Sequence, residues 1–129
     1  MDLERTRLRE LSARLLRLHS LLLSRERRAY ERRHGAVPSG DLLNLLLHDA
    51  AFAWLRSLSG MVARIDELVD AESPVTSADV ERVLGEAYRL LKSEEQDAFH
   101  DNYRDALQDS PEIVMAHAEV SKLLPRARA

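Results

Sequence analysis

Leu8, Leu11, Leu15, Leu18 and Leu22 recur at alternating spacings of three and four, which keeps one face of a helix apolar. Asp2 stands where an N-cap is needed and Gly35 follows His34 as a stop. The pattern predicts one helix of some thirty residues, roughly 45–50 Å long against about 30 Å for a small globular domain. Such a helix bends, belongs to an elongated bundle, or packs its end on another chain. Leu16, Leu21 and Leu23 fall outside the stripe and widen the apolar surface, which implies partners beyond a single seam.

After the loop 35–40, Asp41 is placed to cap a second helix running to about Asp70. One of its faces carries Leu47, Ala50, Trp54, Leu58, Met61, Ile65 and Leu68, and another carries Leu45, Phe52, Leu55, Val62 and Val69. A helix apolar on two faces is central or interfacial. Asp49 is also a good cap, so a kink near His48 is expected. Ser73-Pro74 ends this element, and Thr76 with Asp79 forms a capping-box pattern ahead of Val80, Val83, Ala87 and Leu90. Ser93 with Gln96 repeats that pattern and opens a fourth helix with Phe99, Tyr103 and Ala106 inward. Ser110-Pro111 starts a fifth through Ile113, His117, Val120 and Leu124 before Pro125, leaving 126–129 as a frayed tail. No strict alternation longer than four residues and no repeat occurs, so no strand is expected. The predicted fold is all-α, a single domain over 1–129: an antiparallel bundle of four to five helices with a long N-terminal helix. Short connections make the helices run up, down, up, down, up.

Composition narrows the function classes. Cysteine is absent, which removes disulfides, thiolate metal sites and thiol nucleophiles and fits a cytoplasmic setting. The opening residues alternate in charge and lack the apolar block of an export signal. The most apolar window, 42–63, contains Asn44, His48, Asp49 and Arg56, which argues against a membrane span. Charge is unevenly spread. Residues 1–34 carry ten arginines against five acids, a net +5, and residues 35–129 carry nine bases against seventeen acids, a net −8. The two parts attract, within one molecule, between two copies, or toward a foreign partner.

Phosphate loops, metalloprotease helices, nucleophile elbows and calcium loops are all missing, and four glycines leave little room for a phosphate cradle. The strongest chemical pattern is histidine with carboxylates. Glu31-x-x-His34 has the spacing by which di-iron bundles place two ligands on one helix face, and Asp97-x-x-His100 is a looser version. Up-and-down topology brings Glu31, His48, His100 and His117 to similar heights near one end, which makes them a candidate metal set. The competing reading leaves His48 and His117 as hydrogen-bonded core residues, with His100 facing solvent. This second reading is favoured, and no cofactor is expected, because a di-iron site needs two complete motifs and further glutamates.

A basic cluster, Arg25, Arg27, Arg28, Arg32 and Arg33, with Tyr30 as a stacking surface, is a candidate nucleic-acid grip. Glu26 and Glu31 are interleaved with it, so a salt-bridged helix face is the simpler account. Trp54, the single tryptophan, and nearby Arg56 are residue types favoured at the centres of interfaces, although Trp54 suits a core equally.

The stretch from His48-Asp49 to Glu67, with Phe52, Trp54-Leu55-Arg56, Leu58-Ser59 and Ile65-Asp66-Glu67, resembles a group of short bacterial helical proteins of uncharacterised function. The likeness covers the central half of the chain. It implies a bacterial, cytoplasmic, all-helical protein and transfers no active-site residue. The reading of the sequence is a non-enzymatic interaction or regulatory module, self-associating as a homodimer, with Trp54, Arg56, Arg25, Arg28 and Arg32 as candidate partner-binding residues and no membrane. The alternatives are a di-iron-like metal bundle and nucleic-acid binding through the arginine-rich end of the first helix.

Overall fold

A computed structural model of the chain describes residues 2–125; the tail expected over 126–129 lies outside the described residues. Among the described residues there are six α-helices and one 3-10 turn, and no strand. The helices are α1 (Leu3–His34), α2 (Ser39–His48), α3 (Arg56–Asp70), α4 (Ser77–Lys92), α5 (Ala98–Asp109) and α6 (Pro111–Ser121), with the 3-10 turn at Ala50–Leu55 between α2 and α3. No described helix is long and apolar enough to cross a membrane.

Asp2, Gly35, Thr76 and Ser110 bound helices as read from the sequence, but Asp41 does not cap α2, which starts two residues earlier at Ser39 behind Pro38 and holds Asp41 in its first turn. Asp2 accepts from the backbone of Arg5, and Gly35 ends α1 with φ 87°, a left-handed value that a Cβ would strain. Thr76 and Asp79 form the reciprocal box of α4, and Ser110 caps α6 ahead of Pro111.

The kink expected near His48 is a full break. The second predicted helix is three pieces, because Asp49 takes an extended conformation and accepts from Ala51 N. The 3-10 turn it caps winds at three residues per turn and so breaks the phase of the apolar faces. Phe52, Trp54 and Leu55 turn into the core while Leu47 and Ala50 turn out. The start of α5 also differs. Ser93, expected as its cap, instead ends α4 and donates to the Arg89 carbonyl, and Asp97 caps α5 by accepting from His100 N.

Leu8, Leu15, Leu18 and Leu22 are fully buried, each contributing about 1.5–3 kcal/mol. They pack mainly against α3 and α6, with α4 alongside. Two polar contacts sit in the α1–α3 seam: Ser12 donates to Asp66 at 2.7 Å, and His19 lies 2.6 Å from Ser59. All the buried residues of α1 fall between Leu8 and Leu22. Its arginine-rich last third therefore overhangs the core, held by Tyr30 against Phe52 and by Arg27 donating to the Val37 carbonyl.

Direction follows from long-range pairs. Arg5 donates to carbonyls of Val69, Ala71 and Ser73, which makes α3 antiparallel to α1 and satisfies the orphan carbonyls at its end. Arg25 pairs with Asp109 at 2.6 Å and Arg14 donates to the Glu119 carbonyl, so α6 is antiparallel to α1 as well. Strict alternation makes the first and last helices parallel. The difference arises at α5, which starts beside Trp54 and ends beside Arg25 and so crosses the bundle instead of descending it.

Candidate functional site

The end of α4, the 3-10 turn and the segment 93–97 enclose an open cleft of about 440 Å³. Trp54, Ser57, Glu86, Arg89, Glu95 and His100 are among its lining residues. Its apolar floor follows from the phase break: Trp54 reaches across to Phe99, ring centroids 5.7 Å apart, and Phe99 stacks on Tyr103 at 5.5 Å. The Trp54 indole N–H has no acceptor among the described residues.

His100 forms one wall and is buried, 4% exposed, rather than facing solvent as the sequence suggested. The physical reason is the Asp97 cap. One carboxylate oxygen accepts both the His100 backbone N–H, at 2.9 Å, and the ring Nδ1–H, at 2.6 Å, folding the imidazole back over the start of α5. The other ring nitrogen, Nε2, lies 3.0 Å from the Arg89 carbonyl and 3.2 Å from the Ser93 hydroxyl, which itself donates to that carbonyl. A carboxylate and a carbonyl only accept, so both nitrogens donate and the ring is an imidazolium. Burial alone would lower its pKa; the Arg89 carbonyl, the Asp97 carboxylate and the charge of Glu95 outweigh burial and hold it above the ordinary value. In turn the His100 hydrogen bonds hold the Asp97 carboxyl below its usual range.

Glu95, Asp97 and His100 bring three ligand-type atoms within 4.8 Å of one another, the one such group among the described residues. The candidate set Glu31, His48, His100 and His117 is not assembled. Glu31 accepts from Val37 N at 2.7 Å and closes the loop after α1. His48 is exposed at the end of α2, because the break at Asp49 swings it off the apolar face. His117 is half-buried on α6, with its Nδ1 hydrogen-bonded to the Tyr103 hydroxyl at 2.6 Å. Burial, then the charge of Lys92, pushes His117 below the ordinary histidine value. The buried His19 escaped the sequence reading, although it stands four residues after Leu15 within the apolar arc; burial lowers its pKa too. Ser59 donates to the Leu55 carbonyl, leaving its oxygen to accept from His19 Nε2. His100 has both ring nitrogens engaged, and His19 and His117 each spend a nitrogen on a bond within the fold.

The partner-binding candidates separate in the same way. Trp54 is 8% exposed and belongs to the core. Arg56 is exposed at the surface, but its guanidinium donates to the carbonyls of Leu46 and Asp49, both at 3.1 Å, and ties down the end of α2. Arg25 is spent on Asp109 and Arg27 on Val37 and Glu31. Tyr30 packs against His34 and Phe52, with ring centroids 4.4 and 5.7 Å away, and is partly buried. Arg28, Arg32 and Arg33 are exposed and form no ion pair among the described residues.

Beside them lies α2. Tyr30 and His34 of α1 line a groove together with Asp41, Asn44 and Leu45, which sets the two helix ends side by side. Five of the ten α2 residues are leucine, yet none is buried. Leu42, Leu45 and Leu46 lie partly against the body, while Leu43 is 63% and Leu47 54% exposed, one helical turn apart. No protein-family model, curated protein or solved structure matches this chain.

Proposed function

We propose that this chain is a non-enzymatic helical interaction module of the bacterial cytoplasm, and that it works as a homodimer. The observation that carries this reading is α2: a leucine-rich helix that buries none of its residues in the single chain. Soluble monomers seldom keep a contiguous apolar ridge in water without a use for it. Most of the chain's chemistry-bearing side chains support the reading from the other side, because His19, His100, His117, Glu31 and Arg56 are spent on holding the fold. Metal binding through Glu95, Asp97 and His100 ranks second, since an ion must first displace the protons on a ring both of whose nitrogens donate. Sedimentation velocity of the full chain at tens of micromolar tests the proposal. A dimer is expected, and a monomer at that concentration would remove it.

A further inference from the structure

We propose that the cleft between α4, the 3-10 turn and the start of α5 binds a small, singly charged aromatic carboxylate. This goes beyond self-association and does not depend on it. The cleft, about 440 Å³, lies near the lower end of the roughly 300–1,000 Å³ range of small-molecule sites, which suits a guest of a ring or two. Its floor is aromatic. Trp54 and Phe99 both line it, their ring centroids 5.7 Å apart, and a flat apolar guest continues that packing.

Two donors on residues of that cleft define the polar end of the guest. Trp54 is 8% exposed and its indole N–H has no acceptor among the described residues. A buried donor left unpaired is costly, and an acceptor brought by a guest removes the cost. The Arg89 guanidinium also lines the cleft and, unlike the Arg89 carbonyl, has no partner among the described residues. The aromatic floor and the orphan N–H in its own cleft set Arg89 apart from the unpaired arginines of α1. Ala98, Phe99 and His100, the first turn of α5, line the cleft too, which places the positive end of that helix there. The acids of the cleft do not call for a cation, because each has one: Asp97 and Glu95 lie 2.6 and 3.9 Å from the His100 imidazolium, and Glu86 lies 4.0 Å from Arg64. They do count against a doubly charged anion. One free guanidinium matches one negative charge, and its planar fork matches a carboxylate.

The indole nitrogen is closed to solvent, so an acceptor meets it only as the ring shifts; Trp54 is the single tryptophan, and its one indole N–H resonance reports the event. The full chain is titrated with naphthoate by NMR and calorimetry, beside neutral naphthamide, cationic naphthylmethylamine and inorganic phosphate. Naphthoate should move the indole resonance and bind ~10-fold more tightly than the amide, the scale of one charge-assisted pair. Arg89→Gln should erase that preference with an unchanged thermal melt, since the side chain is exposed and the carbonyl that His100 uses is retained. Trp54→Phe keeps a ring in the floor and should weaken naphthoate ~5-fold through the lost N–H; if it does not fold, Arg89→Gln still decides. No shift and no heat up to ~10 mM naphthoate overturns the site. Equal affinity for acid and amide, or a preference that survives Arg89→Gln, overturns the carboxylate assignment. Tighter binding of the amine or of phosphate overturns it in favour of that class.

Discussion

Replacing Tyr103 by phenylalanine removes one oxygen from the core and isolates the contribution of the Tyr103–His117 hydrogen bond. The Tyr103 side chain is 2% exposed and its ring stacks on Phe99, so the phenyl ring of the variant stays where it is. The bond lost is short, 2.6 Å, and its loss leaves His117 Nδ1 without a partner. A hydrogen bond contributes about 1 kcal/mol net, and a polar group stranded in the interior costs about 1–3 kcal/mol. His117 is half covered, so water partly replaces the hydroxyl, and the lower part of that range applies. The expected loss is about 1–2 kcal/mol, or about 4–7 °C in Tm for a chain of this length. The pH dependence gives a second reading. Burial holds the folded pKa of His117 below the ordinary value of 6.5, so the unfolded chain takes up that proton first and stability falls as pH drops below 6.5. Burial and Lys92 remain in Tyr103→Phe, so the acid-side loss persists in the variant on top of the lower overall stability. Urea denaturation followed by circular dichroism, between about pH 5 and about pH 8, reads both effects. A variant within ~0.3 kcal/mol of the parent, or one that no longer loses stability on the acid side, refutes the reasoning.

His100 has the opposite sign. Its folded pKa is raised, so its contribution is fully present below 6.5 and is lost as pH rises through the folded value; Asp97, whose pKa is lowered, keeps its contribution above 3.8 and loses it as pH falls through its own folded value. The stability gap between parent and His100→Gln should therefore be widest between those two values and close on the alkaline side, and a gap independent of pH contradicts the imidazolium assignment. Arg56→Ala should release α2: hydrogen exchange over Ser39–His48 accelerates while the buried stripe of α1 keeps its protection, and equal protection in both proteins would show that the guanidinium does not hold that helix. Elemental analysis of untagged protein should find no stoichiometric iron, manganese or zinc; a metal that survives dialysis and disappears in His100→Gln would reverse the ranking of the two functional readings.

Much of the fold is legible because its signals are local. The Leu8–Leu22 stripe, the Thr76–Asp79 box, Ser110-Pro111 and the cap at Asp49 each declare themselves within a few residues. What was not legible depends on phase and on competition. Helical periodicity carried across Asp49 puts Leu47 inward, and only the 3-10 turn, with its different residues per turn, reverses that. Ser93 and Asp97 both fit a helix start. Asp97 prevails because its carboxylate binds a backbone N–H and an imidazolium at once, a bond between side chains that spacing alone does not reveal. The same bond turns His100 from an expected surface residue into a buried one. The direction of α6 also depends on a crossing helix, since periodicity identifies a face and not the angle at which it packs.

The antiparallel pairing of α1 with α6 has a consequence for biosynthesis. The stripe on α1 leaves the ribosome before the other described helices, and α6, which seals one side of it, follows all of them. Throughout translation that row of leucines is open to chaperones and to other nascent chains, and local folding of α3 and α4 leaves it only partly sheltered. A stop codon ahead of Pro111 would not yield a smaller stable protein: it would yield a chain with Leu8, Leu15 and Leu18 left open along the α6 side, fit for proteolysis.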